Sequence, residues 1–164
     1  MIQWSTVEGK ILILGLGNIL LQDEGLGVRA VERLAARYRL PPGVQVMDGG
    51  VMGLDLLPYL EEVSHLLIAD AVQTGRPPGS LVRLAGEAIP AALTLKMSMH
   101  QVGLQELLAL AGFQGTLPEH VVLWGLEPAS LDWGLELSAP IAAQIDALVD
   151  GLLGELRLWG VVLA

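Results

Sequence analysis

The apolar residues of this chain follow two spacings in turn. Five short runs have the length of strands: Ile11–Leu16, Val44–Met47, Leu66–Ala69, Leu81–Leu84 and Val121–Leu126. Those beginning at Ile11, Leu66 and Val121 are continuously apolar rather than alternating. A strand covered on both faces has no polar side to show, so these three predict the buried middle of a sheet. Between the runs the spacing becomes helical. Val31, Leu34, Ala35 and Tyr38 fall at i, i+3, i+4 and i+7 within a segment from Glu24 to Arg39, which Pro41-Pro42 ends. Gly53–Glu62 is a candidate second helix. Val102–Ala111 is a third, with Leu104, Leu107, Leu108 and Ala111 on one face. Ile141, Ile145, Leu148 and Leu152 stripe a C-terminal helix from Ala139 to Leu158.

Strands alternating with helices predict an α/β fold: a single domain over residues 11–164, with a twisted, mostly parallel five-stranded sheet sandwiched between helices. Residues 1–10 read as an N-terminal tail. Gly75-Arg76-Pro77-Pro78-Gly79 is a loop, and the short connection beyond it predicts that the Leu81 strand pairs antiparallel at an edge. The apolar end, Trp159–Ala164, takes no role in this scheme.

The chain has 164 residues, enough for one full core, and 52% of them are hydrophobic. The net charge is −9, from 9 Lys+Arg against 18 Asp+Glu. No basic surface is available to displace counterions, which excludes a nucleic-acid partner. An acidic membrane surface would repel the chain. No uncharged apolar run reaches the ~20 residues of a membrane span. Lys10–Leu14 does not read as a signal peptide, because Glu8 offsets Lys10 and acidic Asp23-Glu24 follows without a cleavage site. A soluble cytoplasmic protein without membrane insertion is expected. There is no cysteine, so thiol nucleophiles and Cys-ligated metals are excluded.

Candidate chemistry begins in Gly15-Leu16-Gly17-Asn18-Ile19-Leu20-Leu21-Gln22-Asp23-Glu24-Gly25-Leu26-Gly27, just after the first strand. Gly15 and Gly17 imitate a dinucleotide turn, and Asp48 imitates its ribose-binding carboxylate. But Leu20 stands where the third glycine belongs, and Asp23 and Glu24 crowd a helix N-terminus that a pyrophosphate needs. A dinucleotide-binding oxidoreductase is therefore the lesser alternative. Asp23 reads most simply as an N-cap. Ligands of open α/β sheets bind outside the carboxyl ends of the strands, and three residues share that rim. Glu24 lies past the first strand, Asp70 ends the Leu66 run, and His100 precedes the third helix. Taken alone, Asp70 is a turn cap and His100 a surface residue. Together they offer two oxygens and a nitrogen, which suits a borderline divalent metal. Asp48-Gly49-Gly50 is either a tight turn with Asp48 as internal acceptor or part of the site. His65 and His120 each precede a strand and carry no assigned function.

These blocks resemble a known family. Gly15-Leu16-Gly17-Asn18, Asp23-Glu24-Gly25-Leu26-Gly27, Asp48-Gly49-Gly50, Asp70-Ala71, His100-Gln101-Val102-Gly103 and Gly125-Leu126-Glu127-Pro128 fall in the order of the hydrogenase maturation endopeptidases. The resemblance spans about Ile11 to Ile141, and Val51 departs from the threonine common there. It implies an endopeptidase that removes a C-terminal extension from the large-subunit precursor of a nickel–iron hydrogenase after nickel insertion. It implies metal contacts at Glu24, Asp70 and His100, with nickel carried by the substrate rather than permanently bound. Asp48 or Asp70 is the expected acid–base group. No Ser/His/Asp arrangement is readable from spacing, and no H-E-x-x-H helix is present, so attack by water is the expected route. A non-enzymatic nickel-binding chaperone of hydrogenase assembly remains the main alternative.

Overall fold

The computed structural model describes residues 9–93 and 98–163. Most of the expected tail, residues 1–8, lies outside these, as does Ala164. Strand β1 (Lys10–Leu16) leads through a 3₁₀ turn (Gln22–Gly25) into helix α1 (Leu26–Arg37). Strand β2 (Val44–Gly50), a 3₁₀ segment (Gly53–Leu60), strand β3 (Val63–Ala71) and strand β4 (Leu81–Ala85) follow. Helices α2 (Ala88–Leu93) and α3 (Met99–Gln114), strand β5 (His120–Leu126) and helix α4 (Ala139–Leu158) complete the chain.

The five strands form one sheet in the order β2-β1-β3-β5-β4. All neighbours are parallel except β4, which runs antiparallel to β5 at the edge. The three continuously apolar runs are the three central strands, as two-sided burial demands. One face of the sheet packs Ile11, Ile13, Leu67, Ala69 and Val122 against α1 and α4. The other packs Leu12, Leu14, Leu66, Ile68 and Leu123 against α2, α3 and the 3₁₀ segment. Among the described residues no helix is long and apolar enough to cross a membrane.

Several boundaries differ from expectation. Glu24 is not in α1 but in the separate 3₁₀ turn before it, which opens on Gln22 at a left-handed φ of 48° and gives way to α1 at Gly25, whose ψ of 6° is not α-helical. Gly53–Leu60 winds as 3₁₀ rather than α, with Gly53 at φ 55° and Pro58 lacking an N–H to donate. Helix α3 runs longer than Val102–Ala111 and stops where Gly115 turns left-handed. His65 and His120 lie within strands rather than before them. Trp159, Val161 and Leu163 cover the α1/α4 core, which gives the apolar C-terminal end its role.

Candidate functional site

Two glycines bring the first loop to the sheet. Gly17 sits at φ 122°, and any Cβ there would strike the Glu24 carbonyl. The turn can therefore fold Glu24 back over the end of β1. Gly27, in the first turn of α1, lies against the Ala69 carbonyl of β3, where a Cβ would also collide. This close packing seats α1 beside Asp70, the next residue along.

Asp23 is not the N-cap that its position suggests. It is fully buried and accepts hydrogen bonds from distant chain. Its Oδ2 takes the Ala129 and Ser130 amides, both at 2.9 Å, and the Ser138 hydroxyl at 2.7 Å. Its Oδ1 takes the Ser138 amide at 2.8 Å. Ser138 is the N-cap residue of α4, so Asp23 ties the loop carrying Glu24 to that helix start. Glu127 works likewise, accepting from the Thr74 and Gly75 amides at 2.7 and 2.9 Å. A buried carboxylate saturated with neutral donors is rigid and has little left to give to chemistry.

Glu24, Asp70 and His100 meet. His100 Nδ1 lies 2.8 Å from Glu24 Oε1. Its Nε2 lies 2.9 and 3.0 Å from the two oxygens of Asp70. Burial works against a charged ring, but the fields and hydrogen bonds of Asp70 and Glu24 outweigh it and raise the His100 pKa to about 9. At neutral pH His100 is thus an imidazolium donating from both nitrogens. The trio is nearly covered rather than lining an open cleft, with exposures of 0% for Asp70, 6% for His100 and 8% for Glu24. As the side chains stand, no group of three or more Asp, Glu or His among the described residues surrounds a common point. The imidazole occupies the space between the carboxylates.

The N-terminus of α3 supplies the support. Ser98 and Gln101 form a capping box, in which the Gln101 side-chain oxygen accepts from the Ser98 amide at 3.3 Å. The Gln101 amide group also donates to the Ala71 carbonyl at 2.7 Å and reaches Asp70 Oδ2 at 3.4 Å. One residue therefore fastens α3 to the end of β3. Its signal is visible in the sequence, because S-x-x-Q ahead of an apolar run is a capping-box signature. Ser98 Oγ also lies 2.9 Å from His100 Nδ1. A Ser98–His100–Asp70 alignment thus exists that residue spacing did not reveal. While its ring is charged, His100 cannot accept the serine proton as a nucleophilic triad requires.

Asp48 stays outside the cluster. It is exposed at the end of β2, and its Oδ1 accepts the Gly50 amide at 2.9 Å, as the tight-turn reading requires.

Known proteins are similar to this chain in sequence and in fold. The family model described as HycI, hydrogenase maturation protease, matches residues 28–155. The chain is 44% identical over 154 residues to the hydrogenase expression/formation protein HupD of Rhodobacter capsulatus, covering 93% of this chain and 73% of that one. It is 42% identical over 153 residues to the hydrogenase 2 maturation protease of Escherichia coli (strain K12), covering 93% of each. Among solved structures, the hydrogenase maturating endopeptidase HybD from E. coli superposes with a TM-score of 0.90 at 41% identity, covering 94% of this chain and 96% of that one.

Proposed function

The chain belongs to the hydrogenase maturation protease family and is a peptidase, and from that premise we propose that it cuts the C-terminal extension from the large-subunit precursor of a nickel–iron hydrogenase after nickel insertion. In this reading nickel arrives as part of the substrate and is engaged by Glu24, Asp70 and His100. The observation that carries the proposal is the imidazolium wedged between two buried carboxylates. Two oxygens and a nitrogen from three separate elements, gathered at the carboxyl end of the sheet, suit a borderline divalent ion. A ring nitrogen must lose its proton before His100 can ligate, so nickel and proton compete for the same place. Engagement should therefore weaken as pH falls.

Water is the proposed nucleophile. The substrate's nickel supplies charge that can polarise a carbonyl or acidify a bound water. Asp70 lies beside His100 and is the nearer candidate to receive a proton; Asp48, exposed at the neighbouring strand end, is the second. The reaction is assigned to the cytoplasm, a reducing setting to which a chain without cysteine is indifferent.

Mass spectrometry of a cognate precursor incubated with the protein tests this. Loss of a C-terminal peptide from nickel-loaded precursor, with nickel-free precursor left whole, is the expected result. Tight binding to a nickel-loaded precursor that stays intact would replace the protease reading with that of a chaperone.

A further inference from the structure

The end of the sheet opposite Glu24, Asp70 and His100 carries the other two of the chain's three histidines. His65 in β3 and His120 in β5 are register partners on adjacent parallel strands. Partners in a parallel ladder project to the same face, here the one that holds Leu67 and Val122. Their rings stack with centroids 4.4 Å apart at 19°. His65 lies five residues before Asp70, or about 16 Å along the strand at the usual rise.

The surroundings fix the chemistry of His65. Ser64 Oγ donates to the Lys10 carbonyl at 3.1 Å. While the hydroxyl donates there, its oxygen can accept from His65 Nδ1 at 2.7 Å. In that arrangement Nδ1 carries the ring proton and the lone pair is on Nε2. An acceptor behind one ring nitrogen that orients the other is how proteins prepare an imidazole for a metal. Trp159 holds the His65 ring from another side, with centroids 4.8 Å apart. Burial and the neighbouring His120 pull the His65 pKa down against the field of Glu119, which favours the neutral ring, the form that ligates. His120 is exposed, and its ring can turn at little cost.

We propose that His65 and His120 form a two-imidazole site for a borderline divalent transition ion such as zinc or nickel, separate from the Glu24–Asp70–His100 cluster. His65 is the preset ligand. His120 rotates out of the stack to bring its own lone pair to the same ion, since both nitrogens must come within about 2.1 Å of it. Two protein ligands and water complete the shell, so the ion exchanges rather than holding the fold together as a four-ligand structural zinc would.

Three histidines make the test direct. In ¹⁵N spectra of the imidazole nitrogens of the full chain, titrated with zinc chloride, the His65 and His120 signals should shift together in one saturable transition. His120→Ala, an exposed substitution, should remove the shift at His65 while the fold's spectrum is kept. His65 and His120 signals that stay unmoved under excess zinc would overturn the site. So would a His65 shift that survives in His120→Ala. Because signals are read residue by residue, zinc taken at His100 does not imitate the result.

Discussion

Two of the clusters in which the protein buries charge against a cation are built differently. On the α4 face, Glu155 is 2% exposed and accepts from Arg83 Nε and from Trp124 Nε1, the latter at 3.0 Å. At the carboxyl edge, Glu24 and Asp70 share His100. In the first cluster the cation is an arginine, which never gives up its proton at physiological pH, and its side chain is 44% exposed at the rim. The partnership is permanent. In the second, the cation is a histidine that can be discharged, and it is covered. A buried carboxylate facing arginine is a fastening. A pair of buried carboxylates facing a titratable ring is a place that can be vacated and refilled.

Substitution should separate the two most sharply. Glu24→Gln or Asp70→Asn is expected to lower precursor processing by roughly 10²–10⁴-fold, the range for losing a group that acts on the reacting atoms. The circular dichroism spectrum should remain that of the folded chain. Full activity in either would remove that residue from the site. Arg83→Ala should do the reverse. It strands Glu155 with only the indole N–H, and breaking a buried pair costs about 3–5 kcal/mol. Because the guanidinium is partly solvated, a loss of about 2 kcal/mol in urea unfolding is the expectation. Processing by the folded fraction should be unchanged, and a processing defect larger than the unfolded fraction would merge the two clusters into one functional unit.

Proton linkage should sharpen the same contrast. The folded-state pKa of His100 is raised from 6.5 to about 9. Its bound proton therefore stabilises the fold fully below pH 6.5, and this contribution fades as pH rises through 9. The shift corresponds to at most about 3 kcal/mol. Urea unfolding followed from about pH 6.5 to about pH 10 should show stability falling, and His100→Gln should flatten the curve over that window. The Arg83–Glu155 pair adds no slope there, because arginine stays charged throughout. A curve just as steep in His100→Gln would place the titrating group elsewhere.

How much of this could be read from the chain follows from the distances involved. The central strands were legible because two-sided burial writes itself as an unbroken apolar run, and the antiparallel edge strand because its connection is short. Helix α2 was not, since six residues with Pro90 among them carry no periodicity. Glu24, Asp70 and His100 could be placed on one rim by the topology of the fold, but not seen in contact. That His100 stands between the carboxylates as a shared cation depends on the path of the Gln22–Gly25 turn. Asp23 shows the limit plainly. Its type predicted a local cap, while its partners Ala129, Ser130 and Ser138 lie 106 to 115 residues away. The stacking of His65 on His120 arises only from the register of β3 with β5.

The smallest expected effect tests the nature of the second cluster most closely. Ser98→Ala removes the hydroxyl 2.9 Å from His100 Nδ1 and the side chain that caps α3. If water is the nucleophile, the serine is only a cap, and its loss should cost about 1 kcal/mol of stability. Processing of nickel-loaded precursor should then stay within a few-fold of the parent. Glu24 would still hold Nδ1, so the ring should keep its orientation. A serine nucleophile would predict near-complete loss instead, together with a covalent acyl-enzyme in the parent that mass spectrometry would detect. A charged ring argues for the first outcome. To act as a base, His100 would have to surrender the Nδ1 proton that Glu24 accepts and then take another from Ser98 at that same nitrogen.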